Sequence, residues 1–292
     1  MKASKTQPSL GPFALFGDSD GTLPARRPRE NPDKLAYAAY RTASTAVHHA
    51  IRSAGLGVST KAHMLAAGNL VARVSQRERF AHQSSELPKS CHVGDWAVRL
   101  GIIAPQREAD IVIMLRDPWA VAHSLFVLSA ASVYPEFAAP PTDATTREKL
   151  VDRAESILFG EFPTDLMIRW MREDAAIALG WNPLDESFDA DRGTQAYEHG
   201  PWRMQLLRAD VPDEQKSDAL RVFFKRPGIG VEPKNGALSF PHVSTSVAEI
   251  ARAAIARRPD TVAATVDGAF CRHFWSERDR AAMLARWAPR AT

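Results

Sequence analysis

The sequence predicts an α/β protein in which a parallel sheet flanked by helices gives way to a largely helical C-terminal half. Three observations carry that expectation. Ile111-Val112-Ile113-Met114-Leu115 is continuously apolar between Asp110 and Arg116, the pattern of a strand covered on both faces. Lys34 to Tyr40 is a second short and mostly apolar run. Each run is followed by a polar turn and then by apolar residues at helical spacing, and strand, turn and helix repeated in this way predict βαβ units.

Taken in order, residues 1–33 hold five prolines and no sustained period, which predicts an irregular tail ahead of an α/β domain over 34–292. The strand Lys34 to Tyr40 ends in Arg41-Thr42-Ala43-Ser44-Thr45. Val47, Ala50, Ile51 and Ala54 then mark one face of a helix that Gly55 stops. Leu56 to Leu65 reads as a second strand, and about Ala66 to His82 as a longer helix. Ile111 to Leu115 is the third strand. Pro118 suits the first turn of the next helix, where a missing N–H costs nothing, and the helix continues through Ala120, Val121, Ser124, Leu125 and Leu128. After the proline-containing stretch Tyr134 to Thr146, helices are expected over Arg147 to Phe159, Thr164 to Leu179 and Asp213 to Phe224, with a late strand at Trp202 to Arg208. Ser246 with Glu249, and Ser276 with Asp279, look like capping-box helix starts.

Composition narrows the function classes. The chain has 292 residues, 45% apolar and 24% charged, ordinary for a globular protein large enough to bury its own core. Its charge of +3, from 37 bases and 34 acids, gives no basic stripe of the kind a nucleic-acid binder shows. Cys91 and Cys271 are the two cysteines; they exclude a disulfide framework and read as reduced thiols of a cytoplasmic protein. No apolar run approaches the length of a membrane span, and Phe13-Ala14-Leu15-Phe16 is too short for a signal-peptide core.

Two turns carry candidate chemistry. In Arg41-Thr42-Ala43-Ser44-Thr45 a strand feeds a helix through small and hydroxylated residues. The unpaired N–H groups and positive dipole of a first helical turn attract anions, and Arg41 adds a permanent charge. Ser44 and Thr45 could equally serve only as helix caps. The nucleoside-triphosphate loop G-x-x-x-x-G-K-[ST] is absent, as is an evident Mg²⁺ ligand. In the second turn, Arg116-Asp117-Pro118 closes a strand, and Ser124 lies eight residues past the arginine, a little over two helical turns. Open α/β sheets bind ligands at this edge, so Arg116 and Ser124 can grip one phosphate. Alternatively, Arg116 and Asp117 merely staple the turn.

Together the two turns resemble the sulfotransferase superfamily, whose donor is 3′-phosphoadenosine 5′-phosphosulfate and whose fold is P-loop-like. The resemblance assigns Arg41, Thr42, Ala43, Ser44 and Thr45 to the 5′-phosphosulfate, and Arg116 and Ser124 to the 3′-phosphate. Arg41 stands where the family usually has Lys, and Ala43 where it usually has Gly. Later segments, Trp170 to Phe188 with Gly193 and Tyr197, Arg208-Ala209-Asp210, Arg272 to Glu277 and Arg286-Trp287, are similar to a bacterial capsular polysaccharide synthesis branch. The resemblance implies sulfuryl transfer to a hydroxyl, on a carbohydrate or surface polysaccharide, without a metal.

Lys61-Ala62-His63 resembles the Lys-x-His of cytosolic sulfotransferases. It implies His63 as the general base, which an imidazole can be near neutral pH, with Lys61 helping to hold the sulfuryl group. A hydrogen-bonded structural histidine is the other reading of His63. His48 and His49 follow the phosphate turn, so at least one should face solvent, and His123 points about 100° away from Ser124 around the helix. Cys91-His92 and Cys271-x-His273 lack zinc-site spacing and read as structural. Trp119 reads as core before adenine stacking, and Lys225-Arg226-Pro227-Gly228 as a solvated turn before a phosphate contact. Two alternatives remain beside the sulfotransferase: a small-molecule kinase, and a non-catalytic polysaccharide-assembly protein that retains the fold.

Overall fold

The computed structural model describes residues 33–39, 42, 44–57, 59–70, 90–160, 165–232 and 245–289. Five strands form one sheet in the order β2-β1-β3-β5-β4: β1 Asp33–Ala38, β2 Ser59–Ala62, β3 Ala109–Leu115, β4 Thr194–His199 and β5 Trp202–Arg208. The pairs β1–β2, β1–β3 and β3–β5 are parallel, and β4 runs antiparallel to β5. The fold is thus α/β with a mostly parallel sheet, as the apolar runs predict.

Alternation along the strands separates two apolar layers. Leu35, Tyr37, Ile111, Ile113, Leu115, Met204 and Leu206 face a large core with Trp119, Phe126, Trp170 and Trp275. Ala38, Val112, Met114 and Leu207 face the opposite way, onto Val47 and Ile51 of α1 (Ser44–Ser53) and Leu220 and Phe223 of the helix Asp213–Phe224. Both faces of β3 are therefore dry, and all seven of its residues are buried. A parallel strand between two helical layers requires this.

The helix after β3 runs Pro118–Val133 with proline in its first turn, as expected. Asp117 caps it: its Oδ1 accepts the N–H groups of Trp119 at 2.9 Å and Ala120 at 3.4 Å. The other carboxylate oxygen, Oδ2, accepts the indole N–H of Trp287 at 2.6 Å. Trp287 ends the helix Glu277–Trp287, which opens on Ser276 accepting the N–H of Asp279. The same C-terminal region reaches the end of β5. Arg208, 4% exposed in its side chain, pairs with Asp210 at 3.0 Å and Asp279 at 2.7 Å and donates to the carbonyl oxygens of Ala190 and Phe274. Gly193 sits against this arginine at φ +66°, where an added Cβ would lie 2.5 Å from Val211 Cγ1.

Several sequence expectations change. β1 begins at Asp33 and ends at Ala38, and Tyr40 lies outside the described residues. The expected strand Leu56 to Leu65 shrinks to Ser59–Ala62. Of the helix expected from Ala66 to His82, 67–70 are helical and 71–82 lie outside the described residues, as do 1–32 of the expected tail. The helix expected over Thr164 to Leu179 is broken into Leu166–Arg169, a π-helical stretch Trp170–Ala175, and Ala176–Leu179. The helix expected to open at Ser246 begins one residue earlier, as Thr245–Ala256. Elements that the sequence does not anticipate include the edge strand β4, the helix Ser90–Val98 with its π-helical continuation Arg99–Ile103, and the short helices Pro259–Val266 and Ala269–Phe274. Among the described residues no helix is long and apolar enough to cross a membrane.

Candidate functional site

β1, β2 and β3 run parallel, so the segments that leave their carboxyl ends emerge on one edge of the sheet. Of the first turn, Arg41 and Ala43 lie outside the described residues. Thr42 is fully buried, and its hydroxyl donates to the carbonyl oxygen of Ala39 at 2.8 Å. It closes the turn, which gives it a structural use that the motif alone does not reveal. Ser44 opens α1 and is buried. Thr45, next to it, accepts a hydrogen bond at Oγ1 from Lys61 Nζ at 3.2 Å.

That bond brings an ammonium group from β2 to the first turn of α1. The turn carries no acidic residue, so the positive end of the helix dipole and the Lys61 charge reinforce each other. An anion is the ligand such a place stabilises.

His63 follows β2 and is 9% exposed. Its Nδ1 lies 2.8 Å from the carbonyl oxygen of Ala38, at the end of β1. A carbonyl only accepts, so Nδ1 carries the proton of the neutral ring and Nε2 is the nitrogen that takes up a second one. The main chain at His63 is held as well. Its N–H donates to Asp95 Oδ1 at 2.9 Å, and its carbonyl oxygen accepts the Trp170 indole at 2.7 Å.

Arg116 follows β3 directly, and Ser124 is buried on the next helix. Burial lowers the pKa of the Arg116 guanidinium. The charges of Asp117 and Asp210 oppose that shift, and Arg286 adds to it. Burial likewise raises the Asp117 carboxyl, against the bonds from Trp287, Trp119 and Ala120 and the charge of Arg286, whose Nη1 is 3.9 Å from Asp117 Oδ2. Arg286 and Trp287 thus reach the turn Arg116-Asp117 from the helix Glu277–Trp287.

The structure thus brings Thr45 and Lys61 together, with His63 against the end of β1. The chain matches no family model, no curated protein and no solved structure. Its functional reading therefore rests on the chemistry of these side chains.

The remaining candidates take structural positions. His48 Nε2 donates to the carbonyl oxygen of Ser59 at 3.1 Å, and burial lowers its pKa; His49 is exposed. His273 Nε2 lies 3.1 Å from the carbonyl oxygen of Pro183. Cys271 is buried, which pushes its thiol up to about 12. Trp119 is fully buried against Phe159, and Lys225 to Gly228 are all exposed. Among the described residues no group of three or more His, Cys, Asp or Glu could hold a metal ion. A cavity of about 230 Å³ between β4, β5 and the helix Asp213–Phe224 is lined by Arg192, Thr194 and Gln205; it lies toward the β4 edge of the sheet, away from β1 and β2.

Sequence reasoning missed the groups that hold the His63–Ala66 backbone: Asp95 and Trp170 at His63, Arg99 at Leu65, and Asp174 at Leu65 and Ala66. Their partners lie 32 to 109 residues away. No local spacing encodes such pairings.

Proposed function

We propose that the protein is a sulfotransferase of P-loop-like topology that moves a sulfuryl group from 3′-phosphoadenosine 5′-phosphosulfate to a hydroxyl, with a carbohydrate as the acceptor class. The observation that carries this reading is the Lys61–Thr45 contact at the acid-free first turn of α1, with His63 two residues beyond Lys61. The turn and Lys61 bind the phosphosulfate, with Arg41 contributing its charge. Arg116 and Ser124 take the 3′-phosphate. His63 accepts the acceptor hydroxyl's proton at Nε2 while the oxygen attacks sulfur. The bond between sulfur and the 5′-phosphate oxygen breaks, its electron pair staying on that oxygen, and adenosine 3′,5′-bisphosphate leaves. Positioning and fixed charge supply most of the rate in such transfers.

Calorimetric titration with adenosine 3′,5′-bisphosphate tests the reading, with ADP and AMP as controls. Binding in the micromolar range, preferred over ADP and weakened by roughly tenfold or more in Lys61→Ala, Arg116→Ala and Ser124→Ala, is the expected result. Absence of binding, or equal affinity for ADP, removes the sulfotransferase reading. His63→Ala retains nucleotide affinity and loses transfer.

A further inference from the structure

The segment His63 to Ala66 belongs to no helix or strand, yet five of its backbone groups are tied to side chains from distant parts of the chain. Asp95 takes the N–H of His63, and Trp170 donates to its carbonyl oxygen. Asp174 accepts the N–H of Leu65 at 2.7 Å through Oδ1 and that of Ala66 at 3.3 Å through Oδ2. Arg99 donates to the carbonyl oxygen of Leu65 at 2.6 Å.

Asp174 is 1% exposed. It also accepts the Tyr37 hydroxyl and, at 2.8 Å, the Asn69 amide. Burial, reinforced by the Asp174 charge, drives the Tyr37 hydroxyl well above its ordinary pKa and keeps it a donor. Two carboxylates and an arginine are thus committed to a four-residue turn. Burying charge is expensive unless each group is bonded, and simple chain reversal requires no such outlay.

The origin of these side chains narrows the explanation. Trp170 and Asp174 lie on the π-helical stretch Trp170–Ala175, and Arg99 opens the other, Arg99–Ile103. The π form adds one residue per turn and is rarely retained without a use. Both π-helical stretches among the described residues deliver a side chain to the same turn.

We infer that Trp170 and Asp174 are positioning residues for His63: the π-helical stretch clamps the His63–Ala66 backbone so that the imidazole stays against Ala38, with Nδ1 protonated and Nε2 as the proton-accepting nitrogen. The inference relies on the sulfotransferase reading only for the source of the proton that Nε2 takes, an acceptor hydroxyl.

The test uses the full chain labelled uniformly with ¹⁵N, with the His63 ring signals assigned by their loss in His63→Gln. The unmodified chain is expected to show a single neutral tautomer, protonated at Nδ1. Trp170→Phe and Asp174→Asn are expected to show a mixture of both tautomers. The amides of Leu65 and Ala66 should exchange roughly tenfold faster in both variants, while those of β3 keep their rates. An unchanged ring spectrum in the folded variants overturns the inference. So does faster exchange spread equally over β3, which assigns Asp174 to general stability. Should Asp174→Asn fail to fold, Trp170→Phe decides, because it removes one N–H and keeps an aromatic ring against Tyr37, 4.9 Å away. Adenosine 3′,5′-bisphosphate titration separates the two claims. Loss of the nucleotide result leaves the tautomer result standing, and the variants should bind the nucleotide within about twofold of the unmodified chain.

Discussion

His123 shows how a single buried side chain sets the pH response. Its Nε2 lies 2.9 Å from the carbonyl oxygen of Ala248, and its ring packs 5.4 Å from that of Trp287. Burial lowers its pKa below 6.5; the Ala248 bond opposes this, and the Arg252 and Arg116 charges reinforce it. The unfolded chain therefore binds this proton more readily than the folded one. The stability contribution is complete above the unfolded value and is lost as the pH falls through about 6.5 toward the folded value. His48 carries the same sign. Asp117 carries the opposite one, because burial raises its carboxyl: its cost is present at neutral pH and relieved in acid. Urea midpoints measured from pH 7.5 down to pH 5 should fall, and more gently in His123→Gln. Equal slopes in the two proteins would assign the loss to other groups.

At the scale of elements, the register of three strands aligns a row of charges inside the sheet. Lys34, Asp110 and Arg203 are partners across β1, β3 and β5. Lys34 Nζ lies 3.0 Å from Asp110 Oδ2, and Arg203 Nε lies 3.0 Å from Oδ1. Arg203 also covers the Phe223 ring and donates to its carbonyl oxygen, tying the helix Asp213–Phe224 to the sheet. Asp110→Ala should cost about 3 kcal/mol in denaturant unfolding, because it removes the carboxylate between Lys34, which is 6% exposed, and Arg203. Lys34→Met combined with Asp110→Leu should cost less than the single change, and a larger cost would refute the desolvation account. The legibility of the elements follows the same logic of locality. β3 and its helix were readable because an unbroken apolar run, an arginine and a proline are all local signals. β4 was not, since beyond the buried Thr194 the strand alternates between half-buried and exposed residues with no apolar run. No residue type marks a π-helical turn, so the breaks at Arg99 and Trp170 left no trace in the spacing. At the site, Lys61 and His63 were readable as a short pattern. The structural use of Thr42 was not legible, because nothing in the motif distinguishes a hydroxyl that meets phosphate from one that meets the carbonyl oxygen of Ala39.

For the molecule as a whole, two apolar layers enclose the sheet, and the C-terminal helices close the end where β3 and β5 finish. Arg208 collects Asp210, Asp279 and the carbonyl oxygen of Phe274, with the Trp275 ring 5.4 Å from its guanidinium. Trp287 completes the cap residue Asp117. Trp287→Phe keeps a large ring and removes one N–H, so it should cost about 1–2 kcal/mol by thermal or chemical unfolding. Trp287→Ala also opens a cavity and should cost about 3–5 kcal/mol. Equal losses in the two would show that the indole N–H, and not the ring's volume, holds the helix. The distance between these partners also sets a clock. Asp117 and Trp287 are separated by 170 residues, so at ordinary elongation rates roughly ten to thirty seconds of synthesis pass between them. Throughout that interval Asp117 is without the indole that later covers it. The nascent chain therefore carries that end of its sheet without its indole cover until Trp287 has been made.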